Sequence, residues 1–132
     1  MKVEVLRFSD LAAAQAHAKQ RIDEAAESAR TKYITPGSGQ AMEYEAAARE
    51  AERFIADQPG PYPMLQADVD AGLASDLWAA AQLVLGMRGA WEPVGAEIRR
   101  VRLQAKREVD QAATQAQVAQ IRDAALSALA QL

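Results

Sequence analysis

The sequence predicts an all-α protein of two antiparallel helical hairpins, four to five helices packed as a small bundle behind a short extended N-terminal arm. Of the 132 residues, 50% are hydrophobic and 31 are alanine, the residue with the highest helix propensity, whereas only 5% are aromatic. Apolar residues recur at spacings of three and four, which is the helical period. We expect an arm over 1–9, a hairpin over 10–57, a proline-rich linker with a short helix over 58–75, and a second hairpin over 76–132.

The N-terminal arm is the one segment with strand-like patterning. Val3 and Val5 alternate with the charged residues Lys2 and Glu4, and such alternation of β-branched and polar residues is typical of a strand. A single strand has no partner in a helical chain. The arm therefore either frays or packs on the helices, or it pairs with the sheet edge of another subunit.

The first hairpin is predicted from its helix-start and helix-stop residues. Ser9 or Asp10 caps a first helix that runs to about Tyr33, and the turn 34–37 ends it because proline disfavours helical geometry in the preceding residue. Ser38 is expected to cap a second helix that runs to about Asp57. The apolar stripe of the first helix is Leu11, Ala14, Ala18, Ile22, Ala25, Ala29 and Tyr33. The stripe of the second is Ala41, Tyr44, Ala48, Ala51 and Ile55.

The second hairpin follows three prolines within residues 58–63, which forbid a helix there and predict a rigid linker. A short helix is expected over 64–70, and Ser75 or Asp76 should cap a third helix. Gly86 and Gly89 weaken the end of that helix, so Pro93 is interpreted as the first turn of a fourth helix; a kinked continuous helix is the alternative.

The last helix boundary is marked by a capping box at Thr114 and Gln117, which predicts a fifth helix to about Ala130. Before it, the fourth helix carries the apolar stripe Val94, Ile98, Val101, Ala105 and Val109. The fifth carries Val118, Ile121, Ala125, Leu126 and Leu129.

Composition excludes several functional classes. The chain has no cysteine and one histidine, His17, so thiolate or paired-histidine metal sites are excluded. His17 is expected to be an exposed helix residue. No dinucleotide, phosphate-loop or nucleophile motif occurs, and we predict a protein that is not an enzyme and needs no cofactor or metal. No segment is long and apolar enough to span a membrane, so we expect a soluble protein with no membrane partner.

The densest basic cluster lies on the predicted fourth helix. Arg99, Arg102 and Lys106 share one side of it, as in a phosphate-binding helix. Acidic residues dilute the cluster, no aromatic residue interleaves with it, and the net charge is −3. A solvated or partner-facing side is the favoured interpretation, and nucleic-acid binding through these three residues is the alternative function.

A few large apolar side chains stand out in this aromatic-poor chain. Trp78 and Trp91 either fill the core or anchor an interface, because tryptophan buries much apolar area. With Leu6, Phe8 and Tyr62 they form the set of candidate partner-binding residues.

Two stretches of the sequence carry a resemblance to a known family. The first covers 18–26 and 30–44 and contains the Tyr-Ile-Thr-Pro-Gly-Ser-Gly-Gln turn. The second contains Trp91, the basic run 98–102, and residues 105–106 and 112–114. In this order they resemble a helical domain of tail-fibre-associated and tail accessory proteins of tailed bacteriophages and prophages. The resemblance implies a structural or assembly role by protein–protein docking, without catalytic residues. It also implies other tail proteins, or copies of the chain, as partners, in the virion tail or in the host cytoplasm during assembly.

Overall fold

The computed structural model describes residues 8–34 and 37–132, without the side chain of Ser38. Within those residues it contains five helices and no strand, which confirms the predicted all-α class. The strand-like part of the arm, with candidate residue Leu6, lies outside the described residues. The helices are α1 (Leu11–Arg30), α2 (Ser38–Ile55), α3 (Pro63–Asp70), α4 (Leu77–Gln111) and α5 (Gln115–Ala130).

Two helices begin at aspartates that the sequence predicted as caps. An Asp10 carboxylate oxygen accepts a hydrogen bond from the Ala13 backbone N–H at 2.8 Å, which satisfies a free donor in the first turn of α1. Asp76 does the same for the Ala79 N–H of α4, also at 2.8 Å. At each position the sequence left a serine and an aspartate as candidates, and the structure shows the aspartate as the cap.

The remaining two predicted caps give a mixed result. Thr114 Oγ1 accepts from the Gln117 N–H at 3.1 Å, as a capping box requires, while the Gln117 side chain accepts from Ala113 instead of Thr114. The prediction of Ser38 as the cap of α2 is wrong. The cap is Gly37, with φ at +112° and no side-chain hydrogen bond, because only glycine adopts that backbone conformation readily.

Helix α4 is continuous over 35 residues and contains Pro93. The favoured prediction of two helices with a break near Gly86 and Gly89 is therefore wrong, and the continuity that the alternative of a kinked continuous helix predicted is confirmed. Pro93 has no N–H, so the carbonyl four residues earlier, that of Gly89, loses its helical donor. Gly89 is exposed, which leaves that carbonyl accessible to water.

The chain divides into two compact units, and α4 contributes to both. Unit 1 consists of the residues up to Tyr33 together with Val94–Leu132, so it contains α1, the second half of α4, and α5. Unit 2 is Ile34–Pro93, with α2, α3 and the first half of α4. This grouping of helices differs from the predicted division into hairpins 10–57 and 76–132.

The core of unit 1 follows the predicted apolar stripes closely. Alanines dominate the α1 stripe, and α1 packs against α5. The buried residues are Ala14, Ala18, Ile22, Ala26, Ala29, Ile98, Val101, Ala105, Val109, Val118, Ala125 and Leu129.

The core of unit 2 is small and also rich in alanine. One leucine, Leu65 of α3, is completely buried at its centre. Around it lie Ala48, Ala51, Ala80, Ala81 and Val84, with Phe54, Tyr62, Val69, Leu77 and Leu85 partly buried against them. Ile55 was predicted in the α2 stripe but is 44% exposed, since α2 ends there.

None of the helices in the described part of the chain combines the length and the apolar character that crossing a bilayer requires.

Candidate docking surface

A buried carboxylate fixes the start of α3. Glu50 of α2 is only 6% exposed, and its Oε1 accepts hydrogen bonds from the backbone N–H of Met64 at 2.8 Å and of Leu65 at 3.1 Å. Its Oε2 accepts from Met64 at 3.1 Å. These donors belong to the first turn of α3, which has no cap of its own. The negative charge also lies at the positive end of the helix dipole.

The proline-rich segment before α3 is held against α2 by one arginine. The Arg53 guanidinium lies 5.1 Å from the ring centre of Tyr62 and donates to the carbonyls of Pro59 at 3.4 Å and Pro61 at 3.3 Å. Phe54 packs edge-on against Tyr62, with ring centres 5.4 Å apart. Tyr62, a predicted partner-binding residue, is therefore half-buried and makes its aromatic contacts inside unit 2.

Helix α3 ends in a motif that leaves a leucine exposed. Gly72, at φ +81°, donates its N–H to the Val69 carbonyl, and Leu73 donates to the Asp68 carbonyl, both at 3.0 Å. In this Schellman motif the residue at the position of Leu73 commonly packs against the one at the position of Asp68. Because that residue is a carboxylate here, Leu73 has no apolar partner at that position and remains 69% exposed.

A second large apolar side chain follows on the other side of the turn. Trp78 lies in the first turn of α4 and is 56% exposed, while its neighbour Leu77 packs against the core of unit 2. The turn and the helix ends around it carry three aspartates. We call the turn between α3 and α4 with its flanking helix ends, which carry Asp68, Asp70, Leu73, Asp76 and Trp78, the α3–α4 corner.

The other predicted partner-binding residues that the structure describes are less exposed than Trp78. Phe8 is half-buried, with its ring centre 4.9 Å from that of His17, and its carbonyl accepts from the Gln115 side chain at 3.2 Å. His17 was predicted to be exposed, but it is half-buried because this aromatic contact covers it. Trp91 is also half-buried. Nothing in the sequence around either tryptophan distinguished the exposed Trp78 from Trp91.

The predicted basic side of α4 is partly neutralised within unit 1. Asp23 of α1 binds Arg102 Nε at 2.8 Å and Lys106 Nζ at 2.9 Å, while Arg99 is exposed. Burial acts to raise the pKa of the Asp23 carboxyl, but the hydrogen bonds from Lys106 and Arg102 outweigh it and the pKa is lowered. Two of the three cations predicted to contact phosphate therefore have a carboxylate partner already.

An open groove of about 400 Å³ lies between α1 and α5. Alanine and leucine side chains form its floor, and its rim carries Arg21, Glu24 and Lys32. Glu24 pairs with Arg21 at 3.8 Å, and Lys32 donates to the Ala130 carbonyl at 3.1 Å, so these rim groups bind each other or the backbone. Across the described ranges, no three histidine or carboxylate residues converge as a metal ion would need.

Compared with known proteins, the chain matches no family model, no curated protein and no solved structure.

Proposed function

We propose that this protein acts by protein–protein docking, without catalysing a reaction, as a structural or assembly component associated with the tail of a bacteriophage or prophage. Its place of action is then the virion tail or the cytoplasm of the host bacterium during assembly. The observation that carries the docking role is the α3–α4 corner, where Leu73 and Trp78 are both more than half exposed. The tail context is supported by the sequence resemblance.

The energetic argument for docking rests on the residue types at the corner. Truncating certain interface residues to alanine costs more than about 2 kcal/mol of binding free energy, and tryptophan is enriched among them because a partner can bury its large rigid ring. Covering an exposed leucine contributes roughly 1–2 kcal/mol by removing its apolar surface from water. The alanine-rich core of unit 2 contains few large side chains, so placing two of them outside it is a substantial loss of potential core volume.

Pull-down of each tail protein of the phage by the full-length chain tests the proposal. We expect at least one tail protein to bind, and Trp78→Ala to weaken that binding at least tenfold. Leu103→Ala is the matched control, since Leu103 is 43% exposed and lies in unit 1. The tail role is wrong if no tail protein binds, and the docking surface is wrong if both variants bind like the wild type.

Nucleic-acid binding is the alternative function. It is favoured by unit 1, which has twelve basic and nine acidic residues, a net charge of +3, and by the exposure of Arg99. Asp23 counts against it, since it already pairs with Arg102 and Lys106. Salt-sensitive binding of a labelled DNA duplex, lost on changing Arg99, Arg102 and Lys106 to alanine, would favour this alternative over docking.

A further inference from the structure

We infer that the α3–α4 corner binds a basic segment with apolar side chains, such as a Lys- or Arg-rich amphipathic helix on the partner protein. This inference rests on the proposed docking function and names the chemistry of the partner. Two observations support it: the charge around the corner is negative, and two apolar side chains, Leu73 and Trp78, are exposed there.

The charge of the chain segment around the corner is negative. Unit 2 has three basic and nine acidic residues, a net charge of −6, and the sequence from Phe54 to Met87 contains no lysine or arginine. Asp70 accepts a hydrogen bond from the Gln66 side chain at 3.0 Å, and Asp76 accepts from the Ala79 N–H. Each of these contacts uses one neutral donor, so both carboxylates keep lone pairs for a cationic partner.

The apolar part of the corner is held in place by backbone geometry. The Schellman motif fixes the backbone of Leu73, and the Asp76 cap fixes the first turn of α4, which carries Trp78. The backbone that carries these side chains therefore needs little ordering when a partner binds, which lowers the entropic cost of association.

A basic segment fits this surface better than the other candidate occupants. Unit 2 of a second copy would bring another net charge of −6 against the first, and in unit 1 of a second copy Arg102 and Lys106 are already paired with Asp23. Nucleic acid or an acidic peptide would bring like charge as well. A basic amphipathic helix offers lysines or arginines for Asp68, Asp70 and Asp76, and an apolar stripe for Leu73 and Trp78.

The test is a fluorescence-anisotropy titration of the full chain into a labelled amphipathic peptide of leucine and lysine. Two comparison peptides have the same length. One has glutamate in place of lysine, and the other has the same leucines and lysines in a scrambled order that removes the apolar stripe. We expect the leucine–lysine peptide to bind at least about tenfold more tightly than either comparison peptide, with an affinity that falls as salt is raised.

Two pairs of variants separate the corner from the rest of unit 2. Leu73→Ser/Trp78→Ser should weaken binding at least about tenfold, whereas Leu83→Ser/Met87→Ser, which changes two other exposed apolar residues of unit 2, should change it less than about twofold. Asp68→Asn/Asp70→Asn should weaken binding about three- to tenfold at low salt. The matched control, Glu43→Gln/Glu45→Gln, alters the net charge equally at exposed positions of α2 and should have little effect.

Each outcome supports or overturns the inference. The assignment to the corner is overturned if the corner variants and their control variants lose the same amount of peptide affinity, in either the apolar or the acidic comparison. It is also overturned if the chain binds the glutamate peptide more tightly than the leucine–lysine peptide. Concentration-dependent dimers that Trp78→Ser abolishes would identify a second copy as the occupant and also overturn it. If a tail protein binds and Trp78→Ala weakens that binding, but the leucine–lysine peptide binds no better than the comparison peptides, the inference fails alone. If the peptide binds as expected and no tail protein does, the proposed tail function fails alone.

Discussion

Glu50 is the residue whose removal should damage unit 2 most specifically. Glu50→Ala removes the acceptor of two backbone N–H groups in the first turn of α3, those of Met64 and Leu65. Leu65 is completely buried, so its N–H cannot bond to water unless the helix moves. The variant should therefore loosen the packing of α3 on α2.

The expected magnitude follows from those two hydrogen bonds. Loss of a helix cap costs about 1 kcal/mol, and a buried donor left without a partner costs about 1–3 kcal/mol. We expect Glu50→Ala to lower the free energy of unfolding by about 2–3 kcal/mol. Glu50→Gln keeps one carbonyl oxygen at the position of Oε1 but loses the charge at the helix N-terminus, so it should cost about 1 kcal/mol.

Urea unfolding followed by tryptophan fluorescence measures this effect, because both tryptophans lie in unit 2. Circular dichroism at 222 nm, recorded on the same samples, reports the helices of both units. With a slope of about 2 kcal/mol per molar urea, Glu50→Ala should lower the midpoint by about 1 M. Glu45→Ala is the matched control on the same helix, since Glu45 is exposed.

Two results would refute this reasoning. If Glu50→Ala unfolds within about 0.5 kcal/mol of the wild type, the carboxylate does not cap α3. If Glu50→Gln costs as much as Glu50→Ala, the charge matters and the two hydrogen bonds do not.

Three further predictions concern other single residues. Asp23→Asn should cost about 0.5–1 kcal/mol at pH 7, a small value because the Asp23 side chain is 43% exposed. Since folding lowers the pKa of Asp23, its stabilisation is present above the unfolded-state pKa of about 4 and is lost as the pH falls through the folded-state value. The gap between wild type and variant should therefore close in unfolding curves recorded below about pH 4, and a gap that stays constant would contradict the assignment. Gly72→Ala should destabilise by about 1 kcal/mol in thermal unfolding, because φ there is +81°. Gly86→Ala should instead stabilise by about 0.5–1 kcal/mol, because Gly86 lies inside α4 with open space beside it, and equal effects of the two substitutions would disprove the backbone argument.

The sequence predicted most helix boundaries because the groups that set them are close together in the chain. Asp10 caps a donor three residues away, and Thr114 does the same for Gln117. The buried stripe of α1 was readable for the same reason, since helical spacing alone places Ala14, Ala18 and Ile22 on one side. The resemblance and the docking role stay predictions, since no match to a known protein tests them.

The sequence was a poor guide wherever two local preferences competed. Gly86, Gly89 and Pro93 all disfavour a helix, yet α4 passes through them, because the helix on either side supports the weak stretch. Ser38 has a good capping side chain, but the backbone of Gly37 takes the cap position.

The sequence by itself determined the all-α class, the side-chain caps at the starts of α1, α4 and α5, and the acidic character of residues 54–87. Only the tertiary structure decided which side chains meet across long separations: Glu50 with the start of α3, Asp23 with Arg102 and Lys106, and Arg53 with Tyr62. The physical reason is that periodicity says which side of a helix is apolar but not which helix covers it. Exposure depends on that choice, and so only the structure showed that Trp78, a candidate partner-binding residue from the sequence, is 56% exposed.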